Sequence, residues 1–535
     1  MTSKWIRAWW APVIATLATF VALASWAVSS PVGSSPDEDF HLASIWCSPA
    51  ARGDLCEPGT KSKNRDVSVS IAKRVACFAE DETKSAECQG QRNVFNSPKR
   101  VITERGNFVS KYPPIFYSTM SLFAGPDVQT SVVAMRLFNV ALFCGLTLAA
   151  WVLISRRQRF VLGAAWLVTL VPLGEFILAS INPSSWTLAG TGTLFIVALE
   201  IFALVAAGNP LRTERRRFIG LLVVAGLALV VAAGSRADGA FYGLLAIANA
   251  FVIARAWKRL GKWTYAVAAG AVAVTGVFLF LTRNTVFDPS SLSAAERHLG
   301  EPGRSFVAVL GKNVLAIPEL LSQFFGTQGL GWLDTGMPAI TTVGATVVFV
   351  AVMSYRLVQA QRRTVWILGA GTFLLIVVPL AYLQVRNAFV GESFQARYLL
   401  PLVVMLAVVA LSGGSESERP EQIIPRRIAW LATLVLIVAN SFALYANLSR
   451  YVQGGNATSW NLNDSQWWWV GLPSPMIVWM LGSVTFAIAA VAVMSPALRP
   501  ASAPAKTPPE IIKRMNEEIN KVMRMPDTAK RMDAQ

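Results

Sequence analysis

Charge is scarce in this chain. Asp, Glu, Lys and Arg make up only 15% of its 535 residues, against 54% hydrophobic, and that balance excludes a soluble globular domain. Histidine occurs twice, as His41 and His298. No Gly-x-x-x-x-Gly-Lys-Ser/Thr loop is present, so no phosphate cradle of that type serves a nucleotide. No convincing internal repeat relates the two halves. The formal charge of +17 would suit nucleic acid, but the basic residues fall in short blocks between apolar runs rather than on one face, which excludes that partner.

What is present is a series of apolar runs, each roughly 20 residues long, as membrane-spanning helices require. The expected fold is an all-α polytopic integral membrane protein with about twelve spans. They lie near 8–29, 131–154, 160–181, 185–207, 218–235, 239–256, 264–282, 338–356, 364–384, 398–413, 428–448 and 474–494. Every second connection is basic, as in Arg156-Arg157 with Arg159, Arg215-Arg216-Arg217, Arg255 with Lys258, Arg362-Arg363 and Arg426-Arg427. Excess Lys and Arg mark cytoplasmic loops. Both termini are therefore expected in the cytoplasm of a bacterial-type plasma membrane, with membrane lipids as the surrounding partner. The first run, within residues 1–29, reads as a retained signal anchor, since it is long enough to span and many spans follow.

The segment 30–130 is expected to be an extracytoplasmic cap with short surface helices, too long for a passive connection. It holds Cys47, Cys56, Cys77 and Cys88, whereas Cys144 lies inside the second span. Four cysteines outside the cytoplasm allow three disulfide pairings, the most local being Cys47–Cys56 with Cys77–Cys88. Structural zinc is the rival use, for which the chain lacks a close Cys-x-x-Cys pair. The remaining organisation is spans over 131–282, a second outer loop at 283–337 with an apolar stretch from Phe306 to Phe325, spans over 338–494, and a cytoplasmic linker and tail at 495–535. Pro508 to Gln535 has the apolar spacing of one amphipathic helix. Its stretch Thr507-Pro508-Pro509-Glu510-Ile511-Ile512 through Lys521 resembles the C-terminal helix of solute receptors of tripartite tricarboxylate transporters, over fewer than about thirty residues.

Directly after the first span comes Ser35-Pro36-Asp37-Glu38-Asp39-Phe40-His41. Acids at a membrane surface are expensive and mark function, although Asp37 and Glu38 would also suit the first turn of a helix. Further polar groups are expected on the same side: Glu175, the turn Asn182-Pro183, Arg236 with Asp238, and Arg386 to Arg397. A carboxylate at the bilayer edge can take a proton from a hydroxyl, and arginines can hold a phosphate leaving group. A transporter whose acids carry protons would use the same residue types.

Four short motifs now agree in order and placement: Pro36-Asp37-Glu38-Asp39-Phe40-His41, Tyr112-Pro113-Pro114-Ile115-Phe116-Tyr117, Asn182-Pro183, and Gln395-Ala396-Arg397-Tyr398-Leu399-Leu400-Pro401. Together they resemble the predicted membrane proteins of domain-of-unknown-function family 2142, over most of the region 10–450. That family is similar in layout to C-type (GT-C) glycosyltransferases. The resemblance implies transfer of a sugar from a polyprenyl-phosphate carrier to an extracytoplasmic glycan or lipid acceptor of the cell envelope. It implies Asp37 or Glu38 as the catalytic carboxylate, Asp39 and His41 as further catalytic or metal-binding candidates, and Arg397, then Arg236, as donor-phosphate contacts. No cofactor is certain, and a divalent cation on Asp37 or Asp39 is a chemically suitable option. The alternatives from other classes are a secondary transporter or flippase for lipid-linked glycans and a non-catalytic envelope protein.

Overall fold

Backbone groups in lipid have no water to bond, so apolar runs become helices that satisfy their own N–H and C=O groups. The computed structural model describes residues 2–208, 210–261, 266, 269–270, 273, 304–392, 394–414, 418–456, 458–465, 467–498 and 509–523. Among them the helices of six or more residues begin with α1 (Thr2–Val28), α2 (Glu38–Trp46), α3 (Pro114–Ser121), α4 (Val128–Leu153), α5 (Arg156–Leu170), α6 (Leu173–Leu178), α7 (Pro183–Ala207), α8 (Arg215–Ala233) and α9 (Ala237–Ile253). They continue as α10 (Phe306–Leu315), α11 (Ile317–Ser322), α12 (Ala339–Val358), α13 (Arg362–Arg386), α14 (Leu400–Ser412), α15 (Arg426–Val452), α16 (Pro475–Leu498) and α17 (Pro509–Met523).

Seven of these, α4, α7, α8, α12, α13, α15 and α16, are long and apolar enough to cross a membrane, while Pro12–Val28, α9, α10 and α14 are shorter apolar helices. The expected span at 264–282 lies largely outside the described residues, as do His298 and the end of the tail after Met523. Two other expected spans change form. The run at 160–181 is broken between α5 and α6, because Pro172 has no N–H with which to continue the ladder. The run at 398–413 yields a helix of 13 residues, Leu400–Ser412, about 20 Å long. Every residue of α14 is buried, so it is a core strut rather than a lipid-facing span.

The helices pack around α7, which is buried from Pro183 to Ile201. Helices α8 and α9 lie against it, α1 packs on α16 and α4, and α14 fills the space beside α5 and α13. Close approach of α7 and α8 depends on Gly190, where a Cβ would fall 2.5 Å from the Ala228 carbonyl oxygen. Small residues at such crossings are the usual means of bringing membrane helices together.

The all-α expectation needs one correction. The segment after α1 carries a three-stranded antiparallel sheet, β1 (Cys56–Pro58), β2 (Arg65–Ser68) and β3 (Arg100–Thr103), in that spatial order. The Cys47–Cys56 and Cys77–Cys88 disulfides close this cap, and Cys144 stays free and buried. The cap is fixed to the bundle by Arg450 of α15. Its guanidinium is buried, pairs with Asp334 at 3.0 Å and donates to the Phe78 and Asp81 carbonyls.

Between α1 and α2 the chain has no regular structure, yet residues 29–36 are buried. Their carbonyls therefore need donors from elsewhere. Arg136, within the apolar helix α4, supplies two of them, donating to the carbonyls of Ser30 and Pro31 at 2.6 and 2.8 Å; it also donates to the Ala27 carbonyl at 2.9 Å and to both oxygens of Glu38 at 3.0 and 3.2 Å. Asn447 donates to the Ser29 carbonyl at 3.3 Å and to the Ser29 and Ser30 hydroxyls, and Trp332 to the Gly33 carbonyl. Gly33 has φ +84, and a Cβ there would meet Val75 at 2.8 Å.

Replacing Arg136 by Leu strands the Glu38 carboxylate in the core. A loss of about 3–5 kcal/mol is expected, because breaking a buried pair leaves an uncompensated charge. The Arg136→Leu/Glu38→Leu double variant should recover a large part of it. Thermal unfolding of the detergent-solubilised protein reads both, and a single variant melting like the wild type would exclude this role.

Candidate functional site on the cap side of the bundle

The acidic motif is positioned by its backbone first. Asp37 precedes α2 with φ 59, in the left-handed region, and its side chain makes no capping bond to the helix. Asp is one of the few residues to tolerate that conformation, and such strain gathers at functional sites. The turn Asn182-Pro183 holds the motif from below: the Asn182 amide donates to the Pro36 carbonyl at 2.9 Å while its oxygen accepts from Ser184 N at 3.0 Å, capping α7. All of α2 except Phe40 is buried, so it is not a surface helix.

Successive residues on this backbone turn three carboxylates in three directions. Glu38 faces Arg136 with both side chains at 1% exposure or less, and it also accepts from Ser35 N at 2.9 Å. Asp39 is likewise buried and grips Arg105 through both oxygens. Asp37 alone stays partly open, at 38% side-chain exposure. It bridges two guanidiniums, accepting from Arg397 Nη2 at 2.8 Å and from Arg105 Nη2 at 2.9 Å. Burial pushes its carboxyl up, but Arg397 above all, with Arg105, holds it well below the ordinary value of 3.8.

His41 lies behind Asp37, its Nδ1 2.9 Å from the Tyr117 hydroxyl and its ring edge-on to Phe40 and Tyr112. Burial pushes it down from 6.5 to about 3; Asp37 opposes this, while Arg397, Arg236 and Arg105 add to it. It is therefore a neutral packing and hydrogen-bonding group at physiological pH.

Arg397 and Arg236 flank the Tyr398 ring, at 5.0 and 4.7 Å from its centroid. Their states differ. Arg236 is neutralised by a bidentate pair with Asp238 at 2.9 and 2.8 Å. Arg397 spends only Nη2, on Asp37 and on the Tyr398 hydroxyl at 3.2 Å; its Nε and Nη1 are buried with no partner. It lines a cavity of about 20 Å³ with Pro36, Phe176 and Gln323, room for about one water. Both polar atoms of the Gln323 amide also lack a partner. Larger groups would enter only by displacing the side chains around it.

The residues do not fit a divalent cation. Arg105 already bridges Asp37 and Asp39, and Arg397 faces Asp37 from the other side, so the carboxylate oxygens point at fixed positive charge. Among the described residues no group of three or more His, Cys, Asp or Glu side chains could hold a metal ion.

The sequence-predicted residues Asp37, Glu38, Asp39, His41, Arg236 and Arg397 thus meet in one place, together with Tyr112, Tyr117 and Asn182. Glu175 is buried nearby, in α6, without an arginine partner among the described residues, and Glu392 pairs with Arg304 instead. Two essential partners escaped the sequence reading. Arg136 carried a usable signal, being a lone charge inside an apolar run. Arg105, in the cap, carried none.

The geometry defines a helical membrane protein with a capped polar site at one end of its bundle. Residues 20–406 match the family model described as predicted membrane protein (DUF2142), and the chain belongs to that family of integral membrane proteins. The match ends before α17. No curated protein and no solved structure matches the chain.

The buried His41 sets a pH response. Below pH 6.5 the unfolded chain takes up a proton that the folded one refuses until about pH 3, so stability falls as pH falls across that window. Asp37 works the same way only below 3.8. The His41 contribution to stability should therefore fall between pH 6 and pH 4, by up to about 1.4 kcal/mol per pH unit, lowering the melting temperature with it. A His41→Gln variant should lack this contribution and so lose less stability than the wild type between pH 6 and pH 4; equal losses in the two would show that His41 is not its source.

Proposed function

We propose that this protein is a membrane glycosyltransferase of the GT-C type, taking a sugar from a polyprenyl-phosphate carrier to a glycan or lipid acceptor outside the cytoplasm. In this reading the cap faces outward from a bacterial-type plasma membrane, both termini are cytoplasmic, and the described helices belong to a set of about twelve spans. The observation that carries the proposal is the Asp37–Arg397 contact at 2.8 Å, with two further Arg397 nitrogens unpartnered beside it.

The chemistry follows from competition for that guanidinium. Three carboxylates face three arginines in the site, Asp37 with Arg397 and Arg105, Glu38 with Arg136, and Asp39 with Arg105. A carboxylate held by two cations is a poor base. A donor phosphate would draw Arg397 through its free donors, since arginine favours bidentate phosphate contacts. Asp37 then loses a cation, gains a neighbouring anion, and becomes more basic. The acceptor O–H proton passes to Asp37, the acceptor oxygen bonds to the sugar anomeric carbon, and the bond to phosphate oxygen breaks with its electron pair leaving on the phosphate. Glu38 and Asp39 hold the motif in shape.

Vesicles containing the protein and a panel of radiolabelled polyprenyl-phosphate hexoses and pentoses test this by release or transfer of the sugar. Asp37→Asn should fold normally and lose about 10²–10⁴-fold in rate, and Arg397→Gln should weaken donor use. Glu38→Gln should instead reduce thermal stability. Full activity in a folded Asp37→Asn variant would end the assignment. Translocation of lipid-linked glycan without any bond cleavage would favour the flippase reading.

A further inference from the structure

The opposite end of the bundle carries the larger cavity, about 1600 Å³. Its lining reaches Pro12 of α1, some 16 residues or about 24 Å along the helix from Val28, where the chain leaves α1 towards the acidic motif. Its deeper wall is apolar or weakly polar, formed by Thr16 of α1, Leu148 and Trp151 of α4, Ala203 of α7 and Val493 of α16. At its mouth six arginines, Arg156, Arg157, Arg159, Arg255, Arg363 and Arg419, stand against two acids, Glu200 and Glu418.

Those acids are already committed. Glu200 is in contact with Arg217, and Glu418 pairs with Arg157 and Arg356 at 3.4 and 3.1 Å. Arg156, Arg159, Arg255 and Arg363 form no ion pair with a carboxylate among the described residues. Arg159 donates to the Trp151 carbonyl at 2.8 Å and lies 4.2 Å over its ring. Arg363 donates to the Val252 carbonyl at 3.3 Å, while its Nε is buried without a partner. Arg156 and Arg363 also sit in the first turns of α5 and α13. The positive end of a helix dipole disfavours cations and attracts anions. Like charges from separate helices, gathered over an apolar cleft, leave an unmet demand for negative charge.

A phosphate alone would meet that charge but leave the cleft unfilled, since the volume exceeds the range of about 300–1,000 Å³ usual for small-ligand pockets. A lipid with a phosphate headgroup satisfies both parts, and basic pockets between membrane helices bind such headgroups. We infer that this cavity is a binding site for an anionic phospholipid of the adjacent leaflet, its phosphate held by Arg156, Arg255 and Arg363 and an acyl chain lying along α1 and α4. The site is separate from the one around Asp37 and independent of the glycosyl-transfer reading.

Native mass spectrometry of the full-length, detergent-purified protein tests the inference by titration with phosphatidylglycerol, phosphatidylcholine or inorganic phosphate. Phosphatidylglycerol should be retained at least about tenfold more tightly than phosphatidylcholine. Replacing Arg156, Arg255 and Arg363 by Gln should weaken it by about fivefold per arginine removed, whereas R427Q, outside the cavity, should not. If the triple variant fails to fold, the single variants R156Q, R255Q and R363Q read the same loss one step at a time, and lysine at each position should restore part of it. Equal retention of the two lipids, undiminished binding in the glutamine variants, or displacement of phosphatidylglycerol by inorganic phosphate would each overturn the assignment.

Discussion

The arrangement of the cap side depends on the buried pair between Arg136 and Glu38. An arginine inside an apolar helix is costly to desolvate unless it is paired and hydrogen-bonded; both Nη atoms of Arg136 are bonded, while its buried Nε has no partner among the described residues. Here the guanidinium takes the Ala27, Ser30 and Pro31 carbonyls around the end of α1, and the Glu38 carboxylate that follows them in sequence. One side chain thus fixes where the first helix ends, where α2 begins, and which way the acidic motif turns. With the Asn182 and Arg105 contacts, it sets the position of Asp37 relative to Arg397, some 360 residues away in sequence.

From that anchor the three neighbouring acids acquire different physical characters. Glu38 and Asp39 are fully enclosed, Glu38 against Arg136 and Asp39 against the Arg105 that it shares with Asp37. Asp37 is the partly open one, on a left-handed residue that points its side chain away from the helix it precedes. Its contact with Arg397 is a stabilising interaction and also one that an anion could take over. The aromatic set of Tyr112, Phe116, Tyr117 and His41 walls this region and keeps the histidine neutral. The two ends of the bundle are also unlike each other: charges near Asp37 are balanced in pairs, whereas several arginines around the opposite cavity are not.

Much of this site was legible in the chain. The acidic motif, Asn182-Pro183, Tyr112–Tyr117 and Arg397 stand out because polar or proline-rich groups beside apolar runs are improbable without a purpose, and they do converge. The local pairing of four cysteines was legible from proximity. The cap's small sheet was not, since strands of three or four residues carry too little pattern to register. The break at Pro172 was missed because hydropathy ignores the backbone N–H, and α14 because a fully buried helix and a lipid-facing one have the same composition.

By itself, then, the sequence determined that this is a helical integral membrane protein, which segments are apolar, and which polar motifs interrupt them, because hydrophobicity is a property of each residue regardless of its neighbours. Only the tertiary structure decided which of three consecutive carboxylates is enclosed and which is open. That choice depends on guanidiniums brought from the cap, from α4 and from the turn before α14, and electrostatic character comes from partners in space rather than from position in the chain.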